Sequence, residues 1–183
     1  MTPKKIAAFA FGPIAGALLS FMTLPMITWF FSQEDIGRMA MLNVVISFSI
    51  LLFSFGLDQA YVREFHESNN KPALFKAVLF PGLFVLLLTL GVLLSFDNII
   101  SIWLFNIDSH LLSVMVAIAL LSTFISRFLS LILRMNEQGM AFSMSQVLPK
   151  ILLVSIIGCY VIFSVAKDIE YLVLANVASI LFV

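Results

Sequence analysis

Five long apolar runs and a sixth, shorter one, separated by brief polar clusters, organise this chain. No residue from Ile6 to Phe31 is charged, a run of 26 positions, against the ~20 that cross a ~30 Å hydrocarbon core. Further spans are expected over residues 39–57, 77–96, 111–133 and 147–166, and a last one opens at Tyr171 and covers the 13 residues to Val183. At 1.5 Å per residue that segment reaches only ~20 Å, so the chain reads as a fragment of a longer protein. The expected fold is an all-α integral membrane protein with about six transmembrane helices, forming one polytopic domain over residues 1–183. Local signals mark the joints. Ser32 suits a helix N-cap, with Glu34 and Asp35 in the first turn. Pro72 suits the start of the next helix. Pro81-Gly82 marks a kink or break, and Asp97 to His110 reads as a loop of interfacial character, rich in Ile, Trp and Phe. Gly12, Gly16 and Ser20 recur every four residues, which smooths one helix face for close approach.

Polar positions inside the spans fall into stripes. At 100° per residue Asn43, Ser47, Ser54 and Asp58 lie within about 60° of one another, and so do Thr123, Arg127, Ser130 and Arg134. Such stripes face other helices or water rather than lipid. A charge near the bilayer centre costs about 2.5–3.5 kcal/mol on insertion scales, so Arg127, Lys150 and Asp58 are candidate functional groups by default. Each has a plainer alternative. Arg127 can snorkel to the headgroups along its apolar stem. Lys150, beside Pro149, reads more readily as an anchor at a span edge. Asp58, expected at the C-terminal end of the second helix and poorly placed for its dipole, needs a partner such as Arg63 or a basic residue of another helix. Asn43 serves equally as an interhelical hydrogen-bond residue or a cavity residue.

Composition strengthens the membrane assignment: 62% of residues are hydrophobic and 11% charged, with mean hydropathy +1.12, where soluble domains carry roughly 25% charge. Net charge is zero, so nothing points to nucleic acid. Placing the N-terminus in the cytoplasm puts Lys4, Lys5, Arg63, Lys71, Lys76, Arg127, Arg134 and Lys150 inside, and Arg38 and Lys167 outside. The positive-inside rule selects that orientation. No catalytic constellation, metal-ligand spacing or nucleotide loop stands out. His66 and His110 fall on opposite sides of the membrane, and the single cysteine, Cys159, lies in an apolar run.

Two stretches carry a family resemblance: Ser32-Gln33-Glu34-Asp35-Ile36-Gly37-Arg38, and Phe55-Gly56-Leu57-Asp58 continuing through Arg63 to Glu67. They resemble the lipid-linked O-antigen flippases of the multidrug/oligosaccharidyl-lipid/polysaccharide exporter superfamily. In these a serine-proline-glutamate-like loop and a glycine open the second helix, and a Gly-Leu-Asp...Arg signature closes it. Gln33 departs from the first motif, and weaker echoes run from Arg134 to Phe142. The resemblance implies one lobe of a two-lobe bacterial inner-membrane transporter that flips an undecaprenyl-pyrophosphate-linked oligosaccharide to the outer leaflet for surface polysaccharide such as lipopolysaccharide. It implies no enzyme activity and no cofactor. The partners implied are the lipid-linked oligosaccharide, the bilayer and other membrane proteins of polysaccharide assembly. Candidate substrate-binding residues are Arg127, Arg134, Arg63, Asn43, Asp58 and Lys150, since guanidinium groups grip pyrophosphate and polar groups meet sugar hydroxyls. Two alternatives remain: a multidrug exporter of the same superfamily, for which an acidic cavity is expected, and a non-transporting fragment or structural membrane subunit.

Overall fold

The computed structural model describes residues 3–96, 98–162 and 168–181, with side chains from Ala7 onward. Its elements in chain order are α1 (Pro3–Phe30), α2 (Gln33–Ser54), α3 (Leu57–Glu64), α4 (Lys71–Leu94), α5 (Ile99–Phe105), α6 (His110–Met135), α7 (Gly139–Ile162) and α8 (Ile169–Leu181). Five of them, α1, α2, α4, α6 and α7, are long and apolar enough to cross a membrane, and α8 is a shorter apolar helix. Large apolar side chains such as Phe21, Leu51, Phe84 and Trp103 project outward. A hydrocarbon solvent removes the penalty that water would impose on that surface.

Local chemistry explains most boundaries. The Ser32 hydroxyl accepts from the Asp35 amide and caps α2. The Asn70 side chain does the same for α4 through the Ala73 amide, and Ser109 caps α6 through Leu112. These caps satisfy amides that helix geometry leaves without intrahelical partners.

Four expectations need correction. The second span is not one helix to Leu57. Phe55 (φ 49°) and Gly56 (φ 72°) are both left-handed, which ends α2 at Ser54 and starts α3. Two such residues in succession cannot continue a right-handed ladder, and Gly56 accepts the conformation without a Cβ penalty. Pro81-Gly82, by contrast, does not break α4, which runs through both residues. The stretch expected as a loop contains α5, whose Ile100 and Phe105 are buried while Trp103 is exposed. Finally, α7 begins at Gly139 rather than 147, and Pro149 lies inside it. The expected end of that span at Ala166, the turn at Lys167, Asp97 and the last residue Val183 lie outside the described residues.

The packing order differs from the chain order. α1 lies along α7 rather than against its neighbour α2, while α6 packs on α8, α2 and α4. Small residues draw α1 and α7 together: a Cβ on Gly12 would stand 2.7 Å from Ser143 Cα, so only glycine allows the approach. Ser143 fills the gap chemically. Its Oγ accepts from the Gly12 amide at 2.9 Å and donates to the Ala8 carbonyl, the two groups an uninterrupted helix would bond to each other. Phe9 and Phe142 meet beside it at a tilt of 49°, with ring centroids 5.7 Å apart. Because α1 follows α7 and α2 follows α6, a gap opens between the two groups.

Candidate functional site

That gap is a cleft of about 430 Å³, lined from five helices: Ser20, Thr23, Leu24 and Ile27 of α1; Asn43 and Ile46 of α2; Thr123 of α6; Pro149, Lys150 and Leu153 of α7; and Asn176, Ser179 and Ile180 of α8. Three of its polar members sit near the middle of their helices. Lys150 is the twelfth of 24 residues in α7, Asn43 the eleventh of 22 in α2, and Thr123 the fourteenth of 26 in α6.

Lys150 is the central group. α7 starts at Gly139, eight residues before the expected span of 147–166, so Lys150, expected near the edge of that span, stands at mid-helix. Its ammonium donates to the Gly16 carbonyl and to Ser20 Oγ, both at 2.7 Å. A Cβ on Gly16 would come within 3.2 Å of the nitrogen, so the glycine leaves room for the charge as well as for the helix. Among the described residues no carboxylate lies within 4 Å of Lys150. Two neutral oxygens therefore hold the ammonium at mid-helix, and a charge at the centre of a membrane-spanning helix costs about 2.5–3.5 kcal/mol on insertion scales. An ammonium has three donors and no acceptor, so one donor remains beyond these two bonds.

The cleft hydroxyls are turned back on their own helices. Ser20 donates to Gly16 O, Thr23 to Leu19 O, Thr123 to Ala119 O and Ser179 to Asn176 O. Such internal bonds make a hydroxyl tolerable in hydrocarbon.

Four other candidate residues lie elsewhere. Arg127, one turn beyond Thr123 on α6, pairs with Asp58 at 3.7 Å; the arginine side chain is 57% exposed and the aspartate 16%. The break before Gly56 moves Asp58 from the C-terminal end of one helix to the first turn of another, so its carboxylate now complements the helix dipole instead of opposing it. The first polar stripe accordingly stops at Ser54. Arg63, in the last turn of α3, and Arg134, in the last turn of α6, are exposed and line no part of the cleft. The structure thus brings Asn43 and Lys150 together, joins Asp58 to Arg127, and leaves Arg63 and Arg134 outside.

Sequence reasoning passed over Asn176 and Ser179. The signal was present: an amide and a hydroxyl three residues apart in an otherwise apolar segment. A second cavity of about 260 Å³ lies among α2, α4, α5 and α6 with a nearly wholly apolar lining, and it offers no comparable chemistry. Among the described residues no three His, Cys, Asp or Glu side chains gather into a metal-binding group.

No curated protein and no solved structure matches the chain. A family model described as polysaccharide biosynthesis protein matches residues 3–183, nearly the whole length. With its membrane-spanning helices and the motifs around Ser32 and Gly56, this chain belongs to the polysaccharide biosynthesis protein family.

Proposed function

We propose that this chain moves an undecaprenyl-pyrophosphate-linked oligosaccharide from the cytoplasmic to the outer leaflet of the bacterial inner membrane, as a non-enzymatic component of surface polysaccharide assembly such as that of O-antigen. The observation that carries the reading is Lys150: an ammonium in mid-helix, in a polar cleft, held by neutral oxygens with no counter-ion among the described residues. A cation kept there at a cost needs an anion that comes and goes, and a lipid pyrophosphate meets that description. Its prenyl tail stays in lipid while the head traverses the cleft. Lysine suits a travelling phosphate because its ammonium is a compact point charge on a flexible stem, which can follow the group without a fixed fork geometry. The N-terminus is taken as cytoplasmic, since basic residues outside mid-helix positions favour that side. Arg63 and Arg134 then lie at the cytoplasmic mouth, where they attract the anionic head. Related multidrug export is less well supported, because among the described residues no acidic side chain lines the cleft.

The test is surface polysaccharide produced per copy of membrane-inserted protein, in cells that depend on this protein for export. Lys150→Gln keeps a polar side chain but removes the charge, and loss of a charge-assisted hydrogen bond predicts a fall of about tenfold or more. Lys150→Arg is expected to retain part of the activity. Near-normal export by Lys150→Gln would overturn the assignment.

A further inference from the structure

We infer that Asn43 of α2 and Asn176 of α8 read the sugar attached to the pyrophosphate; this rests on the reading of Lys150 as the pyrophosphate partner. The contrast within the cleft carries the argument. Every hydroxyl lining it donates to a carbonyl of its own helix. Neither amide does anything of the kind: among the described residues the side chains of Asn43 and Asn176 make no hydrogen bond, although both residues line the same cleft as Lys150.

Asn43 is exposed and Asn176 half-buried on the cleft, and in a membrane-spanning segment an unpaired amide avoids a desolvation cost only by facing water or a ligand. Each amide presents two donors and one acceptor, which suits the mixed donor and acceptor pattern of sugar hydroxyls. Neither carries a charge that would repel a phosphate. The two amides also stand apart from the ammonium by helix: Lys150 is held on the α1–α7 wall, whereas Asn43 and Asn176 belong to α2 and α8. A head group whose phosphate meets Lys150 of α7 therefore turns its first sugar toward α2 and α8. At about 430 Å³ the cleft is near the small end of ligand sites, which run from ~300 to ~1,000 Å³. It takes the sugar next to the phosphate and leaves the distal sugars outside.

The test is binding to the purified full chain in detergent, with farnesyl pyrophosphate as the sugar-free probe and its glucose, galactose and N-acetylglucosamine conjugates as the others. The wild type is expected to bind at least one conjugate more tightly than the bare lipid. Asn43→Leu and Asn176→Leu should each reduce that advantage by about threefold to tenfold, while affinity for farnesyl pyrophosphate stays within about twofold. Alanine replaces leucine at either site if the leucine variant is not monodisperse. Loss of affinity for bare lipid and conjugate alike would make the amides structural and overturn the inference. So would an undiminished sugar advantage in both variants, or no advantage in the wild type. Lys150→Gln separates the two levels. Weakened farnesyl pyrophosphate binding supports the phosphate assignment, and unchanged binding defeats that assignment while the sugar comparison is still read from the asparagine variants.

Discussion

Adding one methyl group at Gly82 should disturb the broken second helix, and the same addition at Gly91, nine residues further along α4, should not. A Cβ on Gly82 would lie 2.3 Å from the Phe53 carbonyl oxygen and 2.9 Å from Phe124 Cζ, whereas at Gly91 nothing lies within 4 Å. Ordinary contact begins near 3.4 Å, so α4 and the end of α2 must separate by about 1 Å, and overpacking of this kind costs about 1–3 kcal/mol. The Phe53 carbonyl cannot swing away like a side chain. It belongs to the last turn of α2, immediately before the left-handed pair at Phe55 and Gly56. Displacing it shifts the break and with it Asp58. At Gly91 the methyl brings only the helix preference of alanine, up to about 1 kcal/mol. That preference applies equally at Gly82, which also lies inside α4, so the two substitutions should differ by the overpacking cost alone, about 1–3 kcal/mol, which for a chain of this size corresponds to roughly 2–12 °C in apparent midpoint. The assay is the fraction of protein remaining monodisperse in detergent after heating across a temperature series. Adding Phe124→Leu to Gly82→Ala should restore little, since it removes only the softer of the two clashes. Equal midpoints for Gly82→Ala and Gly91→Ala would refute the close approach of α4 to α2, and full rescue by Phe124→Leu would show that the carbonyl is not the obstacle.

The Asp58–Arg127 pair predicts that Arg127→Lys keeps most export activity, because the 3.7 Å contact involves a single guanidinium nitrogen and not a bidentate fork; a loss as large as that of Arg127→Ala would place the guanidinium on substrate instead. Exchanging the two residues, Asp58→Arg with Arg127→Asp, should recover only part of what Asp58→Arg alone loses, since an arginine in the first turn of α3 opposes the dipole there. For orientation, reporter fusions at Asn69 and Gln138 should report the cytoplasm and those at Gln33 and Asp108 the outside; an outside signal at Asn69 would reverse the topology.

The sequence alone determined that this is a helical membrane protein, because runs of some twenty uncharged residues have no other stable home. It also determined the caps at Ser32 and the start of α4 at Pro72, which depend on a residue and its near neighbours. The polar residues that matter were visible too, since Asn43, Lys150 and Arg127 stand out against an apolar background. Their grouping was not visible. A helical wheel assumes an unbroken helix, and the left-handed pair at Phe55 and Gly56 invalidates that assumption for Asp58. Lys150 read as a span-edge residue because Pro149 beside it suggested a boundary, whereas α7 runs through that proline, and the Gly16 carbonyl and Ser20 hydroxyl that hold it lie 134 and 130 residues away in the chain. Tertiary structure alone decided that α1 pairs with α7 and not with α2, which opens the cleft. Local propensity and periodicity fix where helices form and which face is polar, but which helices meet is decided by long-range fit between surfaces, here glycines of α1 against Ser143 and Lys150 of α7.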